Sequence, residues 1–302
     1  MEKCNSAKSK AMTPYKKSAP AKINLFLHVV GRRPDGYHLL ESLVSFLDIC
    51  DEISLIPSAK TSLTLSGAFA SQALHNNNIV MKAVALMHEQ LNRSEFFDIH
   101  IEKNIPVAAG LGGGSADAAA TMHLLNDYYG QRFSQAELEE LGLTLGADVP
   151  MCLRGKPQWA SGIGEILSPC NDFGLFDIVV INNNKTLSTP DVFKVFASLQ
   201  TPFEKTRSQP SVHKCDSGQE SPIWGATYTN NLTQAACILN TSIQDVLDTL
   251  KELEGCLVSR MSGTGSTCFA LFINRTFAQK ACNQLKKKWP DYWIHQSQIG
   301  AV

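Results

Sequence analysis

The chain has no run of about 20 apolar residues, so no membrane-spanning helix is expected. It has no Cys-x-x-Cys. Its nine cysteines are scattered and odd in number, which speaks against a disulfide framework and for reduced thiols in a cytoplasmic protein. Neither charge is in excess, and the formal net charge is −1. That leaves no electrostatic footprint for nucleic acid or an anionic membrane, so an anionic small molecule has to be held by local groups. The first 20 residues contain five lysines but no arginine, no amphipathic period and no apolar segment. They fit neither a secretory signal nor an organelle transit peptide, and residues 1–18 read as a disordered leader. Internal repeats are missing too.

Two familiar phosphate-binding loops are also absent. No Gly-Lys-Ser/Thr closes a glycine-rich loop, which excludes a Walker A site. The densest glycine cluster does not space as G-x-G-x-x-G, because Ser115 and Asp117 stand where the last glycine belongs. That cluster is nonetheless the centre of the chain. It runs Pro106, Val107, Ala108, Ala109, Gly110, Leu111, Gly112, Gly113, Gly114, Ser115, Ala116, and leads straight into an alanine-rich stretch. Glycine lets a ligand approach the main chain closely. Ser115 is placed as N-cap of a helix running to about Tyr129. A helix start offers unpaired N–H groups and the positive end of its dipole, so loop and helix form a candidate phosphate cradle. Taken alone, the same residues fit a mobile loop before a packed helix equally well.

With 302 residues, 44% of them hydrophobic, the chain suits one large or two ordinary domains. Ile23, Leu25 and Leu27 alternate with Lys22, Asn24 and Phe26 as in a strand, where Lys22 and Asn24 by themselves read as solvent-facing. Further strands are expected over 39–49, 52–56, 62–65, 97–101, 176–182, 257–261, 268–273 and 291–296, with a hairpin over 158–167. Helices are expected over 78–91, 135–145, 232–253 and 276–287, and from Thr189 with Pro190 in its first turn. In the first, Ile79, Ala83, Leu86 and Gln90 share a stripe. In the second, Ser134 and Glu137 form a capping box. Asp148 falls on a turn between helix and strand, where Pro150 biases Val149 to an extended shape. Residues 201–223 read as a polar surface insertion. The mixture predicts α+β with mostly antiparallel sheet, and a boundary near residue 170 separating domains over 19–170 and 171–302.

Three segments, in this order, resemble the motifs of the GHMP kinase superfamily: Ala19 to Leu25, the loop from Pro106, and Met261 to Thr267. Arg33 to His38, Leu145 to Pro150 and Gly162 to Glu165 narrow the resemblance to the 4-diphosphocytidyl-2-C-methyl-D-erythritol kinase family. Trp159 to Gly164 matches the family pattern only loosely. The resemblance implies a GHMP kinase fold, with an N-terminal domain like ribosomal protein S5 domain 2, a C-terminal ferredoxin-like domain and a cleft between them. It implies transfer of the γ-phosphoryl of ATP to the 2-hydroxyl of a cytidine diphosphate methylerythritol, in the non-mevalonate isoprenoid pathway, with Mg²⁺ and by a monomer or weak homodimer. The alternatives are another GHMP small-molecule kinase, of the mevalonate-pathway or homoserine type, and a non-catalytic nucleotide-binding homologue.

The same resemblance assigns roles. Asp148 is the catalytic carboxylate towards the substrate hydroxyl and Lys22 its partner. Residues 106–116 hold the ATP phosphates, and Lys103 and Asn78 lie near the adenine and ribose. Tyr37 and Phe193 sandwich the cytosine, and His38 bonds its edge. Asn24 and Thr189 hold the diphosphate-methylerythritol part. Gly263, Thr264 and Gly265 border the cleft and help to orient the phosphates or the substrate. No metal ligand is assigned beyond Ser115 as the best candidate. Asp117, in the first helical turn, has to point away from the phosphates.

Overall fold

The computed structural model describes residues 14–72, 78–170, 174–206 and 228–300. Its spine is one antiparallel hairpin, β1 (Tyr15–Arg32) and β2 (His38–Ser58). β2 pairs with β1 along its length, with β4 (Phe96–Glu102) through its second half and with β5 (Gln158–Gly162) through its first. β3 (Ser62–Ser66) adds parallel to β4, and β6 (Ile166–Pro169) antiparallel to β5, completing six strands. The separate strands expected over 39–49 and 52–56 are therefore one. The polar stretch between them does not end the strand, because Asp51 is buried with its carboxylate fully engaged.

Order also begins earlier than expected. Tyr15 to Ser18 continue β1 opposite Leu55 to Glu52. Lys16 pairs with Glu52 at 2.6 Å, and the Tyr15 ring stands edge-on to Tyr128. Residues 15–18 of the expected leader are thus strand, and residues 1–13 lie outside the described ones. Most of the expected insertion, from residue 207 on, lies outside them as well.

The second sheet has the order β10 (Trp293–Ile299), β7 (Phe176–Asn182), β9 (Cys268–Phe272), β8 (Cys256–Met261), all antiparallel. In chain order this is the fourth, first, third and second strand, the split βαβ arrangement of ferredoxin-like sheets. Helices α1 (Ile79–Leu91), α2 (Gly113–Tyr128), α3 (Gln135–Leu143) and α4 (Val149–Arg154) belong to the first half of the chain. The second half holds α5 (Thr189–Ser198), α6 (Thr233–Leu239), α7 (Ser242–Lys251) and α8 (Arg275–Lys288). The helix expected over 232–253 is two helices, because Asn240 turns extended and its N–H closes on Ala236. In α1 the buried face is Val80, Ala83, Val84 and Met87, and Gln90 is exposed. The apolar stripe is rotated by about one residue from the expected one.

β1 is covered on both faces. Ile23, Leu25 and Phe26 pack with Ile178, Val180 and Phe269 of the second sheet. Leu27 and Val29 join Val179, Val192 and Leu232 in a neighbouring cluster. A third cluster sets α1, α2 and α4 on the first sheet through Met87, Leu125, Leu153, Phe97 and Ile99. Burying each such side chain contributes about 1.5–3 kcal/mol. Burial on both faces explains why the alternation of Lys22 and Asn24 with apolar residues does not mark a solvent face. Both are 5% exposed.

The capping box of α3 is present: Ser134 accepts from the Glu137 N–H, and Glu137 accepts from the Ser134 N–H at 2.8 Å. Ser134→Ala is expected to lower stability by about 1 kcal/mol in urea unfolding while leaving kcat unchanged. An unaltered midpoint would show that the box carries no weight here.

Candidate active site

A cleft of about 1070 Å³ is lined by β1, the 33–38 loop, the glycine loop, the start of α4, α5 and the 263–264 turn. The glycine loop forms one wall, and its carbonyls are held from behind. Ala108 O accepts from the Leu187 N–H at 3.4 Å, and Ala109 O from the Thr267 N–H at 3.1 Å. Gly110 O accepts from the Ser262 hydroxyl, Leu111 O from the Lys22 N–H and Gly112 O from the Ala116 N–H. In a trans peptide the N–H of the next residue points opposite to the carbonyl. Five consecutive anchored carbonyls therefore turn the N–H groups of 109–113 the other way. Among the described residues, the N–H groups of Val107 to Gly112 donate to nothing in the protein.

α2 starts at Gly113 with Gly112 as N-cap, three residues before the expected cap. Ser115 thereby becomes the third residue of the helix, half-buried at the cleft. Gly112 sits at φ 65°, and a Cβ there would lie 2.6 Å from Lys22 Cγ and 2.9 Å from Lys22 Cε. Only glycine meets both requirements, since the Lys22 stem passes over it.

Lys22 Nζ reaches Asp148 Oδ2 at 3.1 Å and Asn24 Oδ1 at 2.6 Å. Lys22 is buried, while Asp148 is 38% exposed at the cleft. Asp148 is the N-cap of α4, not part of a helix-to-strand turn. Pro150 is accommodated in the first turn of that helix, where a missing N–H costs nothing, so Val149 is helical and not extended. Asn24 was expected to hold substrate. Its side chain is instead used within the protein, accepting from Lys22 and donating to the Ser42 hydroxyl at 2.8 Å. It positions the ammonium.

At the other end of the cleft His38 stacks on Phe193, with centroids 4.9 Å apart and planes 19° apart. The expected sandwich paired Phe193 with Tyr37, but Tyr37 is 61% exposed and His38 takes that face. Burial, aided by Arg32, lowers the His38 imidazolium, which favours a neutral ring with one donor and one acceptor. Thr189 and Thr264 hydroxyls meet at 3.1 Å across the cleft. Asn78 lines it near the loop as N-cap of α1, accepting from the Val80 N–H.

Lys103 departs from its expected place beside the adenine. It borders the cleft, but its ammonium turns into a buried group with Asp51 and Asp117. Asp51 Oδ1 also accepts from the N–H groups of Asn104 and Ile105 at 2.6 and 2.9 Å. Asp117 lies in the second turn of α2 and borders the cleft, with its Oδ2 accepting from the Lys103 ammonium at 2.7 Å. Burial pushes its carboxyl up to about 8 against the pull of Lys103. Burial acts to lower the Lys103 ammonium, but Asp117 and Asp51 outweigh it and hold it raised. Asp51, Ser42, Ser262 and Asn230 were not singled out from the sequence. Asp51 left a signal there as an acid between Ile49 and Ile53, and Ser262 as part of the Met261 to Thr267 segment.

The cleft's oxygen donors suit a hard cation. The Ser115 hydroxyl and the Asp148 carboxylate both face it. Among the described residues no group of three or more His, Cys, Asp or Glu could hold a metal ion. That donor set fits Mg²⁺, which keeps waters and binds through phosphates plus one or two protein oxygens.

Residues 78–156 match the GHMP kinases N terminal domain, and residues 226–291 match GHMP kinases C terminal. A 4-diphosphocytidyl-2-C-methyl-D-erythritol kinase of Rhizobium etli (strain CIAT 652) is 40% identical over 285 residues, covering 93% of each chain. The chain belongs to the 4-diphosphocytidyl-2-C-methyl-D-erythritol kinase family of GHMP kinases. A family member of Chelativorans sp. (strain BNC1) is also 40% identical, over 94% of this chain and 95% of that one. A crystal structure of a 4-(cytidine 5'-diphospho)-2C-methyl-D-erythritol kinase superposes with a TM-score of 0.74 at 29% identity, covering 95% and 100% of the two chains. The family's GHMP fold extends to a homoserine kinase from Cytophaga hutchinsonii, with a TM-score of 0.67 at 18% identity. Among the described residues no helix is long and apolar enough to cross a membrane.

Asp117 supplies a pH test. Its folded value lies above the ordinary value of about 3.9, so the protonated form favours the fold. As pH rises past the unfolded value, the unfolded chain releases this proton first, and stability falls until the folded value is passed. Relative to Asp117→Asn, the unmutated chain is expected to lose urea stability between about pH 5 and about pH 8, by at most about 1.4 kcal/mol per unit. Parallel curves for the two proteins would refute a buried, proton-holding Asp117.

Proposed function

We propose that this chain transfers the γ-phosphoryl of ATP to the 2-hydroxyl of 4-diphosphocytidyl-2-C-methyl-D-erythritol. One observation carries the reading most. The anchored loop directs its free N–H groups into the same cleft that holds the Lys22–Asp148 pair. Phosphoryl transfer needs positioning and charge stabilisation more than covalent chemistry from the protein. The N–H groups of 109–113 and the start of α2 would hold the ATP phosphates, as a backbone nest does without a Walker lysine. Mg²⁺ would be held by the phosphates with the Ser115 hydroxyl, and would neutralise charge on them.

Asp148 would accept a hydrogen bond from the substrate hydroxyl and orient it in line with the phosphoryl group. Lys22, fixed by Asn24, would pair with that carboxylate and stabilise charge on the transferred group. Asp148→Asn leaves shape and Lys22 contact nearly intact. It is expected to lower kcat about 100-fold or more with little change in either KM. A kcat near that of the parent protein would remove Asp148 from the chemistry.

The cytidine would lie at the aromatic end, against Phe193 and the His38 edge, with Tyr37 at the rim. Stacking of a base on an aromatic ring is worth about 1–3 kcal/mol. Phe193→Ala is therefore expected to raise KM for the cytidine substrate at least fivefold while leaving KM for ATP unchanged. Equal loss for both substrates would mean that Phe193 serves the fold.

A further inference from the structure

Asn230 lies outside the cleft, 5% exposed, in the segment that precedes α6. Its Nδ2 donates to two carbonyls of the third glycine segment, Met261 O at 2.8 Å and Gly263 O at 2.7 Å. Its Oδ1 accepts from the Leu232 N–H at 2.9 Å. The main chain beside it is bound to β1: Leu27 N–H donates to Thr229 O, and Asn231 N–H to Leu27 O. Asn230 is thus held in place by a strand that also carries Lys22 and Asn24, and from there it grips the turn.

Gly263 and Thr264 line the cleft, and Asn230 approaches from the opposite side. With Gly263 O drawn back to Asn230, the trans 263–264 peptide points the Thr264 N–H forward. Among the described residues that N–H has no acceptor in the protein. The turn is also joined to the glycine loop, because Ser262 Oγ donates to Gly110 O at 3.0 Å and accepts from the Asn24 N–H at 3.1 Å. Its N–H is therefore fixed relative to both the phosphate wall and the Lys22 side.

We propose that Asn230 is a positioning residue for phosphoryl transfer: it holds the Gly263 carbonyl out of the cleft and so presents the Thr264 N–H to a phosphate of bound ATP. The inference rests on the kinase reading above and adds a donor facing the glycine loop. A preorganised N–H acts on charge that develops in the transition state, so its loss shows in kcat more than in KM.

The test uses the full chain. Asn230→Asp keeps an oxygen for the Leu232 N–H but sets a second oxygen against two carbonyls. Asn231→Ala removes the acceptor of the Val29 N–H and loosens the same segment without touching the turn. The Thr264 amide is followed by NMR while a non-hydrolysable ATP analogue is added, and kcat and both KM values are measured. The amide is expected to shift in the parent protein and in Asn231→Ala, and to stay unmoved in Asn230→Asp. In Asn230→Asp kcat should fall about 100-fold with each KM within about threefold. A Thr264 amide that ignores the analogue in the parent protein overturns the proposal even if a variant fails to fold. Equal loss of kcat in Asn231→Ala also overturns it. A chain that shows the amide shift yet leaves the cytidine substrate unphosphorylated would refute the functional reading alone.

Discussion

The planar peptide is the constraint on which this cleft depends. A carbonyl and the following N–H cannot both face a ligand, so a wall of donors needs its carbonyls satisfied behind it. Here that support comes from far along the chain: Leu187, Ser262 and Thr267 on one side, Lys22 on the other. Lys22 lies on β1, Ser262 and Thr267 lie in the turn between β8 and β9, and Leu187 lies just before α5. The loop therefore needs neither a lysine of its own nor strict glycine spacing to present its N–H groups. It does need its neighbours in register, because their placement sets the direction of its N–H groups.

Charge is handled in two compartments. Lys22 and Asp148 face the cleft and can meet substrate. Lys103 and Asp117 border the cleft but turn their charges onto each other and onto the fully buried Asp51, and so join β2, the end of β4 and α2. Breaking a buried pair by removing one partner leaves the other charge unsatisfied, so such a group holds its elements in one arrangement. Asp51 also fixes the N–H groups of Asn104 and Ile105, immediately before the loop begins.

Much of this was legible in the residues. The glycine cluster, the Ser134 box and strand 176–182 follow from local chemistry, and local chemistry formed them. The motif resemblance brought Lys22 and Asp148 together, which no local pattern could have done. What failed were readings that needed tertiary context. Lys22 and Asn24 look like a solvent face until a second sheet covers β1. Ser115 looks like a cap until Gly112 adopts a left-handed shape and starts the helix earlier. Lys103 looks like a ligand group until two carboxylates, one of them far off in β2, claim it. Asn230 left no sign at all, because nothing local distinguishes an asparagine that grips a distant turn from one at the surface.

β1 has a consequence for how the protein is made. It is made well before the strands that cover it, and it carries the Lys22 ammonium. Its cover arrives much later, from Ile178, Asn230 and Phe269. Contacts so distant in sequence form slowly and leave apolar surface waiting. A nascent chain that ends after the glycine loop therefore has every residue of the phosphate wall but none of the backing from Leu187 onward. The cleft can close only after β7 to β9 have been made, and β1 keeps apolar surface exposed until then.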